Sequence, residues 1–347
     1  MKRLRGAAGL VALLAIGGAL ASGGSRTDTV QLRYLGDANA LRTVARFGTE
    51  RVVTVRSLGK PDAVRADPRW LARARPLAAA TPGWAGRMYA RSLLVLHAFT
   101  DERSGAAIAG AREGWAYVWP RDASTAAMAL SSAGYREEAR RIVRFLLGLD
   151  LGAAARFHPD GSPVDGRAAQ GDAAGWVAAA ARAAGIQATV PSQPWRNRAD
   201  YQEGDPGDYL GNALASSATG EIRRDFERRG ALVREADNPN SGLDTAAAWA
   251  VRPFPHAGLF PAARRASLRL AAQSGRFGIV PSESWDGGND PWTAPTAWTA
   301  WSLAALGERR AALHLMSELR RAATPDGMLP ERIDAGTGVP TSTTPLA

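Results

Sequence analysis

Cysteine is absent from all 347 residues. Disulfides, thiolate nucleophiles, zinc–thiolate sites and lipid attachment through cysteine are thereby excluded. Histidine is sparse. His97, His158, His256 and His314 are scattered, with no His-x-x-x-His pairing, so no histidine-based metal site is expected and no cofactor is called for. Lysine is scarcer still: all but two of the 43 basic residues are arginine, the exceptions being Lys2 and Lys60. The formal charge of +10 invites a nucleic-acid reading. The arginines, however, are spread along the whole chain among alanine and glycine, as a GC-rich codon bias would spread them. No basic stripe or RNA-binding motif accompanies them. Nucleic acid is therefore not an expected partner, although weak attraction to acidic polymers or envelopes fits such a charge. Beyond the first twenty residues no stretch is apolar for long enough to span a bilayer.

What is present begins with a basic and then apolar start. Lys2-Arg3-Leu4-Arg5 precedes the mostly apolar run from Gly6 to Leu20, and Ala19-Leu20-Ala21 offers a small-residue cleavage site. This pattern predicts a signal peptide over residues 1–21 and a secreted or cell-surface protein of a bacterium, without a membrane span once the signal is cleaved. An uncleaved anchor is the other reading of the same run. The remainder, in a chain with 46% hydrophobic and 22% charged residues, has the balance of a globular protein.

Residues 22–83 read as a strand-containing segment and linker. Thr29–Tyr34 and Arg51–Arg56 are strand-like, and residues 60–83 hold several prolines and arginines. From Trp84 the pattern turns helical. Ser124–Ala133 is alanine-rich, Gly134 stops it, and Arg136–Leu149 follows, with Ile142, Phe145, Leu146 and Leu149 on one face. Ala294–Leu306, Gly307 and Glu308–Ala322 repeat the plan. Gly175–Ala184, Tyr209–Arg229, Leu243–Val251 and Pro261–Gln273 are further predicted helices. One member of each pair is small and uncharged, the other rich in Arg and Glu. That suits an inner and an outer ring, and the expected fold class is all-α: an α/α toroid over residues 84–347.

Trp115-Ala-Tyr-Val-Trp-Pro-Arg-Asp122 joins aromatic rings to an Arg and an Asp just before a helix. Sugars, with apolar ring faces and a rim of hydroxyls, need that mixture. The same residues fit a blander description, with Asp122 as a helix N-cap and Trp115, Tyr117 and Trp119 as an alternating strand. Taken alone, they leave both open. The string resembles the Tyr-x-Trp-x-Arg-Asp motif of glycoside hydrolase family 15, the glucoamylase and glucodextranase family. There the Arg and Asp hold the terminal glucose, which implies that role for Arg121 and Asp122, with Trp119 beside them.

Leu329-Pro-Glu331, with Gly327, Asp334, Gly338 and Thr344-Pro-Leu-Ala347, resembles that family's Gly-Leu-Leu-Pro-Glu-Gln…Thr-Pro-Leu-Ala segment. The resemblance makes Glu331 the general base. Asp200-Tyr201-Gln202-Glu203 resembles the family's Asp-Tyr-Trp-Glu, which makes Glu203 the general acid, with Gln202 where the family has Trp. Asp205 and Asp208 are rival acids in the same stretch. Glu283-Ser-Trp285-Asp286-Gly287-Gly288-Asn289-Asp290-Pro-Trp292 is similar to a family loop that binds sugar, which places Glu283, Trp285 and Trp292 at the substrate; Asp290 is an insertion. Where this sequence reaches Ala347, the family continues with Trp-Ser-His and a closing helix, which implies either a toroid one helix short or a truncated sequence. The resemblance implies the six-hairpin fold and an inverting, metal-independent hydrolase that releases glucose from the non-reducing ends of α-glucosides. A non-catalytic carbohydrate-binding or envelope protein on the same toroid is the alternative, favoured by Gln202 and the displaced loop.

Overall fold

A computed structural model describes residues 68–341 except 80, 111–114, 217–218, 239 and 324–328, together with the backbone of three strands between residues 31 and 56. The stretch read as a signal peptide, Gly327 and the Thr344–Ala347 string lie outside the described residues.

Both predicted strands form. β1 (Gln31–Tyr34) and β3 (Arg51–Arg56) flank a third, β2 (Leu41–Phe47), in an antiparallel sheet of order β1-β2-β3. Leu32 stands opposite Thr43, and Val44 opposite Thr54. A short helix, α1 (Pro68–Leu71), follows inside the segment read as linker. Its Trp70 is buried and stacks on Tyr135 at 3.9 Å, and the Tyr135 hydroxyl donates to the Trp70 carbonyl at 2.8 Å. The helical body therefore begins near residue 68, because an indole that size gains more from the core than from water.

The body is an α/α toroid of helical hairpins. After α2 (Gly83–Ala98), α3 (Pro120–Ser132) returns as α4 (Arg136–Leu147), and α9 (Thr293–Ala305) returns as α10 (Arg309–Ala322). Gly134 and Gly307 make those turns at φ 99° and 82°, a left-handed backbone that glycine adopts without a Cβ clash. The inner helix α5 (Ala173–Ala184) buries Trp176, Val177 and alanines on most of its circumference. The outer α4 buries one face only, Ala139, Ile142, Val143 and Leu146. A second outer helix, α8 (Phe260–Ala272), packs on the same core. Trp176 and Trp249 meet edge to face at 5.0 Å, with Trp298 at 5.1 Å from Trp249, forming an aromatic floor inside the ring.

Two predicted helices are corrected. Tyr209–Arg229 is broken into α6 (Leu210–Ala215) and α7 (Thr219–Phe226), followed by the hairpin β4 (Glu227–Arg228) and β5 (Ala231–Leu232). At the break, the Ser216 hydroxyl turns back onto the Ala213 carbonyl at 2.8 Å, a side-chain bond that competes with helix continuation. Leu243–Val251 contracts to a 3-10 helix, Thr245–Ala250, because the Asp244 carboxylate accepts from Ala246 N at 2.6 Å and caps it there. No helix among the described residues is long and apolar enough to cross a membrane.

Candidate active site

The aromatic strand is held where α3 begins. Val118 exchanges backbone hydrogen bonds with Phe157 at 2.8 and 2.9 Å. The pairing leaves half-buried Trp115 and Tyr117 alternating with buried Ala116 and Val118, and Trp119 is buried as well. Pro120 then opens α3, so the helix starts earlier than the capping reading requires. Trp119 is the N-cap and Asp122 lies inside the first turn. Asp122 is thus not the cap. It sits where the positive end of the helix dipole favours a carboxylate. Burial pushes its carboxyl up, Arg121 pulls it back, and Asp172 pushes it further up. Arg121 is buried and donates through Nη1 to Gln170 Oε1 at 2.7 Å and Asp172 Oδ2 at 3.0 Å.

Glu203 ends a tight loop. Its N–H donates to the Asp200 carbonyl at 3.0 Å, and its backbone lies at φ 58°. A non-glycine residue in that region is uncommon and often marks a functional site. Beneath it, the Tyr201 hydroxyl reaches Asp244 Oδ1 and the Pro281 carbonyl, each at 2.9 Å. Arg234 lies between Asp200 Oδ2 at 3.0 Å and Asp244 Oδ2 at 3.2 Å. Burial pushes Asp200 up to about 7, with Arg234 opposing and Asp244 adding to the rise. The Glu203 carboxyl accepts from Trp119 Nε1 at 3.0 Å and Gln170 Nε2 at 3.5 Å, and it forms an ion pair with Arg167. Gln202, in place of the expected aromatic, donates through Nε2 to Tyr201 Oη at 2.9 Å and Asp244 Oδ2 at 3.1 Å.

Glu331 is fixed at the start of α9. Thr293 N donates to the Glu331 carbonyl at 3.0 Å, and Thr293 Oγ1 to the Pro330 carbonyl at 2.7 Å. Arg332 anchors the same loop through Asp290 Oδ2 at 3.0 Å and the Gly287 carbonyl at 2.6 Å. Asp290, the inserted residue, thus ties the Glu331 loop to the 281–292 loop.

These elements converge. One cleft is lined by Trp119, Arg121, Asp122, Glu203, Trp292 and Glu331, with Trp115, Tyr201, Gln202 and Trp298 among its other walls. Six of the eight residues singled out in the sequence are therefore brought together. Glu283 is not among them. Its exposed carboxylate accepts from Leu243 N at 2.7 Å and Gln273 Nε2 at 2.9 Å, holding the outer loop. Trp285 stands behind Trp292, edge to face at 5.3 Å. Three residues around the cleft were not foreseen: Arg167, Gln170 and Asp172, which hold Glu203 and Arg121 in place. Among the described residues no group of three or more acidic or histidine side chains is arranged to hold a metal ion. The cleft sets three carboxyl groups, Asp122, Glu203 and Glu331, among hydrogen-bonding and stacking surfaces, a set able to bind a polyhydroxy ligand and to exchange protons with it.

The family described as Glycosyl hydrolases family 15 matches residues 83–149. That stretch includes Trp119, Arg121 and Asp122 and stops short of both glutamates. No curated protein matches the chain. Among solved structures, a wild-type glycosidase is 20% identical with a TM-score of 0.63, covering 81% of this chain and 95% of that one. A bacterial glucoamylase complexed with acarbose is 14% identical with a TM-score of 0.60, covering 82% and 56% respectively. Glucoamylase from Saccharomycopsis fibuligera is 13% identical with a TM-score of 0.57, covering 76% and 92%. Identities this low establish the shared toroid.

Proposed function

We propose that this chain, with the toroid of the glycosidases and a family-15 segment across Trp119–Asp122, is an inverting glycoside hydrolase. Its substrates are α-glucans or α-glucosyl oligosaccharides, cut at the non-reducing end to release glucose, and it is exported through its N-terminal signal peptide. One observation carries the reading: Glu203 and Glu331 come from separate loops and line the same cleft as Arg121 and Asp122. Arg121 and Asp122 hold the hydroxyls of the terminal sugar, Trp292 offers its face to its ring, and the edge of Trp119 closes the wall beside Glu203. Glu203 protonates the glycosidic oxygen and is left as a carboxylate. Glu331 takes a proton from the water that attacks C1 from the opposite face, so the configuration inverts. Room for that water requires the carboxyls to stand about 6.5–9.5 Å apart, wider than the roughly 5 Å of a retaining pair.

A second reading is a non-catalytic carbohydrate-binding protein on the same toroid. The ion pair on Glu203 favours it, because an acid held as a carboxylate has no proton to give. Proton NMR of the anomeric signals decides between them, with purified protein acting on maltose, isomaltose, trehalose and a dextran. Initial β-glucose is expected, with the rate falling at least about a hundredfold in Glu331→Gln, the lower end of what general acid–base catalysis supplies. Initial α-glucose would contradict inversion. No release from any of the four by folded wild type would leave the binding protein as the answer.

A further inference from the structure

We propose that Arg167 is a positioning residue for Glu203: it aims the carboxyl across Trp119 and holds it in the ionised form. This inference rests on the proposed reading of Glu203 as the acid of the cleft, whereas its primary test does not.

Arg167 reaches the cleft on a loop that pairs beside the aromatic strand, through Ala155 N to the Arg167 carbonyl at 3.4 Å and through Phe157 to Val118. Its guanidinium contacts Glu203 Oε2 and lies over the rings of Trp115 at 5.7 Å and Trp119 at 5.8 Å. Trp119 and Gln170 meanwhile donate to Oε1. Three donors, two from one loop and one from the aromatic strand, thus converge on one carboxyl, and each bonds the ionised form better than the acid. The left-handed backbone at Glu203 keeps the carboxyl delivered to this point.

The other charges around the cleft do not cancel this. Asp122 and Glu331 share the cleft and disfavour ionisation of a third carboxylate, and Glu331 also feels the charge of Arg167, but it is Glu203 that the guanidinium touches. Arg121 is taken up by Gln170 and Asp172, and Asp200 lies buried behind the loop against Arg234. Arg156 stands near Arg167, over Tyr117 at 4.8 Å and Trp119 at 5.5 Å, and adds positive charge on the same side. The chemical consequence is an acid that gives up its proton readily and recovers it only at low pH. The activity of the cleft is therefore displaced towards acid conditions.

The test is carbon NMR of protein labelled at the glutamate Cδ, with the Glu203 signal identified by its loss in Glu203→Gln. Arg167→Gln is expected to raise the Glu203 titration midpoint by about one pH unit or more. Arg167→Lys, which keeps the charge but not the fork, should fall between it and wild type. If Arg167→Gln does not fold, wild type in 1 M salt serves instead. Screening a half-exposed ion pair raises the midpoint, whereas screening of Asp122 and Glu331 would lower it. An unmoved or lowered midpoint in the variant or in salt overturns the proposal. The basic limb of the pH profile of kcat/KM should follow the Glu203 midpoint upward in Arg167→Gln. A protein that titrates as expected and releases no sugar would sink the hydrolase reading and leave the role of Arg167 standing.

Discussion

Trp119 does two jobs with one side chain. Its indole N–H donates to Glu203 at 3.0 Å, and its ring stacks with Trp115 at 5.6 Å. Trp119→Phe keeps an aromatic face and removes the donor. A hydrogen bond to a charged group contributes about 1.5–3 kcal/mol; below the Glu203 midpoint, where the donor steadies only the carboxylate formed as the proton leaves, kcat/KM should fall about tenfold to a hundredfold while the thermal transition stays close to wild type. An unchanged kcat/KM would show that the indole N–H does not act on the acid. Trp119, Arg121 and Asp122 were legible in the sequence because they are neighbours in it and arrive at the cleft as one unit. Arg167, Gln170 and Asp172 were not, because their partners lie 33 to 51 residues away and only loop pairing brings them together. Glu283 shows the opposite failure. Its surrounding string reads as a sugar loop, yet the carboxylate turns to the Leu243 N–H and Gln273, a choice made by the fold rather than by the string.

Helices were legible wherever a glycine stop met a regular apolar spacing, as in α3 with α4 and α9 with α10. They were misread where a polar side chain took over the backbone, at Ser216 and at Asp244. The strand β2 escaped because its alternation is imperfect, Leu-Arg-Thr-Val-Ala-Arg-Phe, and only pairing with strands on both sides completes it. How tightly the inner elements pack was not legible either. At Gly175 in α5, an added Cβ would lie 2.2 Å from the Ala215 carbonyl oxygen and 2.7 Å from its Cβ, so α5 and the end of α6 touch through their backbones. Alanine is the better helix former by about 1 kcal/mol, but overpacking against atoms that cannot move aside costs about 1–3 kcal/mol. The clash wins, since the obstacle is main chain. Gly175→Ala should lower the urea unfolding free energy by up to about 2 kcal/mol. Gly220→Ala in α7, where nothing stands within 4 Å, should leave it equal or higher. A stabilised Gly175→Ala would mean that α5 and α6 are further apart than described.

The whole molecule carries a formal charge of +10, yet the loop that holds Glu203 is built on buried carboxyls, and that contrast sets how stability depends on pH. Asp200 and Asp244 are both about 1% exposed and share a single guanidinium, Arg234. Two buried carboxylates with one cation leave an uncompensated negative charge. Burial raises both Asp200 and Asp244 above their ordinary range, Asp200 to about 7. A carboxyl whose folded value lies above its unfolded value binds more protons in the folded state, so stability falls as pH rises between the two. For Asp200 that window runs from about 4 to about 7, and the loss approaches about 1.4 kcal/mol per pH unit within it. Asp160, Asp225 and Asp334 are lowered by hydrogen bonds from Ser162, Arg224 and Thr337. Their contribution has the opposite sign and is lost as pH falls through their depressed values, below about 4, so the two effects occupy different windows. The urea midpoint should therefore be higher at pH 5 than at pH 8, and Asp200→Asn should flatten that difference, because an amide in the same place has no proton to lose. A wild-type midpoint that rises from pH 5 to pH 8 would mean that Arg234 satisfies both carboxylates and that no proton is held in the loop that holds Glu203.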